Sequence, residues 1–277
     1  MIIIKKIFLR KIKYTILKRH FFGITNNLRV LPDFIIIGAM KSGTTSLYYN
    51  ICQHPSIRPA AYDEIGFFDV NYDLGLGWYR SLFPSIISKL NIKRKTGFFL
   101  TGEDTPFYFW KEDAALRIKK HFPKIKLIII LRNPIDRAYS NFTDDLFNKN
   151  QSNNFEEIII EEINQIKKNN VDFKKLIEPA YIAKGIYSEQ IKIWLKYFDK
   201  EQIIVINTEE MKKNPTITIN EIFRFLEIPE YDIKKFEKRK QKDYQPISNY
   251  SRKILKEFFE PYNEELFNLI NKKFNEW

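Results

Sequence analysis

Along this chain apolar residues gather in short, dense runs, and helical spacing takes over between them. FIIIG at 34–38 reads as a buried strand, followed by a helix over TTSLYYNIC. FFLTG at 98–102 predicts another strand, and KEDAALRIKKHF at 111–122 a helix stopped by Pro123. IKLIIIL at 125–131 is the clearest buried strand. Pro134 suits a first helical position, so NPIDRAYSNFTDDLF opens a helix directly after that strand. An acidic helix is expected over 155–169, an amphipathic one over 187–198 and a strand over 202–207. ITINEIFRFLEI reads as helical, as does YSRKILKEFFEPYNEELFNLI, with an interruption at Pro261.

Strands that alternate with helices make parallel β-α units. The expected fold is therefore an α/β one: a single domain with an open, P-loop-like parallel sheet flanked by helices. Ligands of such sheets bind at the carboxyl ends of strands. The 38–46 loop and the segment starting at Arg132 both fall at such ends, on one edge.

Length and composition sharpen this picture only a little. The 277 residues suffice for one large core, with no repeat and no Gly-, Ser- or Pro-rich linker. Cys52 is the single cysteine, so an internal disulfide framework is excluded and a reducing, cytoplasmic compartment fits. No Cys/His cluster resembles a metal site, so no metal is expected.

Charge is more informative by place than by total. Of the net +12, residues 1–31 hold eight basic and no acidic side chains, leaving +4 for 32–277. A nucleic-acid partner is thus not expected from charge. The division expected is a basic amphipathic segment at 1–31 and one main domain at 32–277. Its opening, MIIIKKIFLRKIKYTILKRHFF, has charges too frequent for a membrane span and no signal-peptide pattern. It suits either an extra helix on the body or one lying on an anionic membrane surface, a peripheral attachment.

GAMKSGTTSL at 38–47 carries the chemistry. Gly38 and Gly43 have the spacing of a phosphate loop, and backbone amides with the hydroxyls of Thr44, Thr45 and Ser46 can wrap a phosphate at a helix start. In the loop that binds nucleoside triphosphates a lysine follows the second glycine. Here Thr44 does, and the lysine is internal, at Lys41. The ligand expected is a phosphate compound without a triphosphate tail. An ordinary polar turn is the bland alternative.

PDFIIIGAMKSGTTSLYYNICQHPSI resembles the 5′-phosphosulfate loop of the sulfotransferases, and LRNPIDRAYSNF at 131–142 resembles their 3′-phosphate segment. EIGFFDVNYDLGLGWYRSLFP, GEDTPFYF, GIYSEQIKIWLKYF and FFEPYNEELFNLI follow in family order, nearest the heparan-sulfate 3-O-sulfotransferases and their bacterial relatives. The resemblance covers roughly residues 32–277. It implies a co-substrate, 3′-phosphoadenosine-5′-phosphosulfate (PAPS), and an O-sulfotransferase acting on a carbohydrate, lipid-linked sugar or small hydroxyl acceptor. Lys41 would then steady the leaving 5′-phosphate, with Ser42, Gly43, Thr44, Thr45 and Ser46 beside it. Arg132 and Ser140 would hold the 3′-phosphate. Lys240 and Lys242, in the basic run KFEKRKQKDYQPIS, are candidate contacts to the donor, though a solvated charge run reads equally well.

For the base, the resemblance points to Glu64, with Glu103 as rival. His20, His54 and His121 do not suit that role. Three departures matter: Asp63 stands where lysine is common, Gly66 where histidine is common, and Asp104 in place of the lysine of G-E-K-S/T-P. Two added carboxylates would repel an anionic acceptor, so a neutral hydroxyl is expected. A nucleotide or sugar kinase and a non-catalytic membrane-associated protein are the alternatives; Tyr187 and Trp194 read as core.

Overall fold

The computed structural model describes residues 23–149, 154–168, 180–237 and 245–277. Among them five strands form one parallel sheet: β1 (Phe34–Gly38), β2 (Ile57–Pro59), β3 (Leu100–Asp104), β4 (Lys126–Leu131) and β5 (Ile203–Asn207). Their order across the sheet is β2-β3-β1-β4-β5. The central strand β1 thus has β3 on one side and β4 on the other. Every loop leaving a carboxyl end opens on the same edge.

The sheet is covered on both faces, which explains its unbroken apolar runs. Side chains alternate along β1: Ile35 and Ile37 enter one core with Leu127, Ile129 and Leu131, while Phe34 and Ile36 enter the other with Ile128 and Ile130. The first core is closed by α2 (Gly75–Ser81), α4 (Glu112–His121) and α7 (Tyr187–Leu195), through Tyr79, Ala115 and Trp194. The second is closed by α1 (Thr44–Ile51), α8 (Thr208–Lys213) and α9 (Pro215–Phe225), through Leu47, Met211 and Phe223. A third cluster joins α5 (Pro134–Lys149), α6 (Phe155–Lys168) and α10 (Asn249–Ile270).

Two expectations are corrected. The strand expected at 98–102 lies at Leu100–Asp104, because the preceding helix α3 (Ile86–Thr96) ends on Gly97 and leaves Phe98 in solvent. Pro261 does not interrupt α10, which runs on through it. Proline removes one N–H, and the carbonyl it deserts belongs to Glu257, which is exposed and can be hydrated.

Residues 1–22 and 238–244, the latter with Lys240 and Lys242, lie outside the described residues. The last part of the basic segment is described. Arg29 bridges Ser85 in antiparallel fashion and donates to the Phe83 carbonyl at 2.7 Å, tying this stretch to the start of α3.

Candidate active site

The strand order brings three elements to one edge, with the β1 loop in the middle. After Gly38 the chain turns through Lys41 and Gly43 into α1, whose N-cap is Gly43 at φ 94°. Glycine adopts that conformation without steric cost, and it offers no side chain to cap the first-turn amides. Thr44, Thr45 and Ser46 of that turn are nonetheless buried. Uncapped amides at a positive helix end, ringed by hydroxyls, are suited to an anion.

The loop is pinned from the strands beside it. The Ala39 N–H donates to the Ile130 carbonyl of β4 at 2.7 Å. The Thr208 hydroxyl, just past β5, donates to the Ser42 carbonyl at 2.7 Å. Arg132, just past β4, reaches the Lys41 carbonyl at 3.4 Å, and its own carbonyl accepts from the Tyr187 hydroxyl at 2.9 Å. Tyr187 is thus core, as expected, and also a brace for the Arg132 turn. Trp194 is fully buried, with its indole N–H on the Phe109 carbonyl.

Lys41 meets a partner that sequence reasoning missed. Its Nζ lies 3.0 Å from Asp144 Oδ2, on α5 one turn beyond Ser140. The loop lysine therefore faces α5, the helix that follows Arg132. The local Asp136 pairs with Arg252 at 2.7 Å. Arg137, also passed over, is wholly buried in α5 and donates to the Tyr181 carbonyl.

On the β3 side, the Glu64 N–H donates to the Asp104 carbonyl at 2.9 Å, which fixes Glu64 at the carboxyl end of that strand with its side chain exposed. Asp63 is exposed as well and accepts from the Tyr49 hydroxyl at 3.0 Å. Gly66 holds φ 62°, and a Cβ there would sit 3.1 Å from Asp69 Oδ1. The residue is set by backbone shape. Asp104 is fully buried, so it adds no surface charge; only Asp63 makes the rim more acidic.

Glu103 also is fully buried, and hydroxyls surround it: Tyr79 at 2.7 Å, Thr105 at 2.7 Å and Tyr108 at 3.3 Å. Thr105 and Tyr108 in turn accept the N–H groups of Gly66 and Phe68. Glu103 thus underpins the Glu64 turn and has no open face toward an acceptor. Burial raises its pKa from 4.5 to about 7. The stabilisation from this group is full below the unfolded value and lost as pH rises through about 7. In denaturant titrations from pH 4.5 to 8, Glu103→Gln is expected to remove roughly 2–3 kcal/mol of pH dependence. An unchanged slope would contradict the buried-acid reading.

Among the described residues five non-glycine residues hold positive φ, and two are Lys41 at 64° and Glu64 at 53°. Such a conformation costs about 1–2 kcal/mol for a residue with a Cβ. Strain of this kind concentrates at functional positions. Among the described residues both histidines are occupied elsewhere: His54 lies 3.1 Å from the Pro229 carbonyl and His121 2.8 Å from the Tyr72 hydroxyl.

Comparison with known proteins gives this edge a context. The sulfotransferase domain family matches residues 31–277. The membrane-associated sulfotransferase kil1 of Dictyostelium discoideum is 28% identical over 91% of this chain and 68% of its own length. The human heparan sulfate glucosamine 3-O-sulfotransferase 3B1 is 32% identical over 71% of this chain, and the chain spans 46% of that relative. The mouse bifunctional heparan sulfate N-deacetylase/N-sulfotransferase 4 is 30% identical over 87% of the chain but only 30% of its own length. A crystal structure of a sulfotransferase from Alicyclobacillus acidocaldarius superposes with a TM-score of 0.68 at 26% identity, covering 90% of this chain and 99% of that one.

Proposed function

This chain belongs to the sulfotransferase family, and from that premise we propose that it transfers a sulfuryl group from PAPS to a neutral hydroxyl of a carbohydrate-type acceptor. The observation that carries the reading is the order β3-β1-β4. It sets the Lys41 loop between an exposed carboxylate, Glu64, and the Arg132 turn.

The donor set fits the co-substrate. The amides and hydroxyls of residues 43–46 suit the 5′-phosphosulfate, and the guanidinium fork of Arg132 with the Ser140 hydroxyl suits the 3′-phosphate. Lys240 and Lys242 are proposed as further donor contacts. The relatives named for heparan sulfate support a carbohydrate acceptor.

Glu64 takes the proton of the acceptor hydroxyl. The freed oxygen bonds to sulfur as the bond from sulfur to the 5′-phosphate oxygen breaks. Lys41 and the loop amides stabilise the negative charge left on that oxygen, an interaction stronger in the transition state than before it. To do so Lys41 exchanges the Asp144 carboxylate for a phosphate oxygen. The exposed acids Asp63 and Glu64 favour an acceptor without charge.

The test is incubation with sulfur-labelled PAPS and paired acceptors, desulfated and sulfated versions of the same glycans. Label should enter the uncharged member by at least tenfold over its sulfated counterpart. Preference for the sulfated member would overturn the acceptor assignment, and no transfer to any hydroxyl would overturn the activity.

A further inference from the structure

Two acid-free stretches carry most of the positive charge of this chain. Residues 1–31 carry eight basic side chains and residues 74–102 five, with no acid in either. Against a whole-chain +12, everything else therefore sums to −1. The stretches meet where Arg29 bridges Ser85 and the Val30 N–H donates to the Pro84 carbonyl.

Helix α3, IISKLNIKRKT, is inverted relative to an ordinary surface helix. At 100° per residue its buried side centres on Ile92, and the outward side carries Ile86, Ile87, Leu90 and Arg94. Ile87 is 71% exposed and Leu90 61%, while the neighbouring Leu28 is 63% and Ile24 85% exposed. Lys89, Lys93 and Lys95 flank this apolar centre. Favourable placement at the negative helix end explains basic residues in the last turn. It does not explain three outward aliphatic side chains on the same face.

From this pairing we infer that α3 and the adjoining 24–28 segment form a docking face for a bilayer surface rich in anionic lipid. Exposed aliphatic side chains enter the boundary between headgroups and acyl chains, and the flanking lysines reach back to the phosphates. Basic residues near such a surface are drawn by its negative potential. A soluble polyanion would engage the lysines but gain nothing from Ile87 and Leu90, so the apolar centre favours the bilayer. Arg29, the last basic residue of the N-terminal stretch, is held at Ser85, the N-cap of α3.

The experiment is co-sedimentation of the full chain with large vesicles, either pure phosphatidylcholine or phosphatidylcholine with phosphatidylserine. Wild type is expected to pellet with the anionic vesicles alone. Ile87→Asp/Leu90→Asp should weaken that partition at least tenfold, with thermal unfolding unchanged because both side chains are already in water. Lys93→Gln/Arg94→Gln/Lys95→Gln should weaken it severalfold and reduce its salt sensitivity. Wild-type partition by the Ile87/Leu90 variant would overturn the inference, assigning attachment to another region. Retention on heparin beads without vesicle binding would also overturn it, in favour of a polyanion.

Discussion

Turnover of the Lys41→Ala enzyme is expected to fall roughly 10²–10³-fold, a loss of about 3–4 kcal/mol of transition-state stabilisation. Affinity for the nucleotide product should change far less, since loop amides, hydroxyls and Arg132 remain. The reason is timing. Negative charge on the leaving oxygen develops only as the bond to sulfur breaks, so a cation aimed there acts mainly on the barrier. Lys41 is held for that task by the Ala39 and Ser42 anchors on either side of it and by its own left-handed backbone. Single-turnover measurements with labelled donor, beside equilibrium binding of the product nucleotide, separate the two quantities. Equal losses in both would make Lys41 a binding residue only.

Glu64→Gln should lower turnover by about 10²–10⁴-fold, the usual worth of a positioned general base. The amide is nearly isosteric and cannot accept the proton. Because Glu64 is exposed and held through its backbone N–H to Asp104, the variant should melt within a few degrees of wild type. The rival, Glu103, is enclosed by Tyr79, Thr105 and Tyr108, and its replacement should act on stability and pH dependence first. Turnover of Glu64→Gln within a few-fold of wild type would remove Glu64 from the chemistry.

Much of this edge was legible from local sequence. Strand β1, its glycine-bounded loop and the hydroxyl-rich start of α1 are contiguous, so apolar run and loop residues read together. The same holds for β4, Arg132 and Pro134. What joins the two was not legible. Asp144 against Lys41, and Thr208 against Ser42 across 166 residues, are products of the sheet order. The backbone of Lys41 and Glu64 was hidden too, since local preference puts glycine or asparagine at positive φ.

Glu64 itself sits in a loop without periodicity, and only the family resemblance singled it out. The effect of Asp104 was misjudged for a related reason: a charge in sequence says nothing of its burial, and this one is inside β3. Strand β2 is three residues long, too short for alternation to show. Helix α3 escaped because its aliphatic side chains face outward, against the pattern by which amphipathic helices are recognised.

A doubly phosphorylated adenosine is expected to bind at the edge formed by the tips of β1 and β4. Titration calorimetry of the full chain with 3′-phosphoadenosine-5′-phosphate, in parallel with ATP plus magnesium, tests it most directly. One molecule of the bisphosphate should bind per chain, and Arg132→Ala should weaken it about 10–100-fold, the worth of charge-assisted hydrogen bonds. Binding of ATP with magnesium at equal or higher affinity, or no heat from the bisphosphate at all, would contradict it.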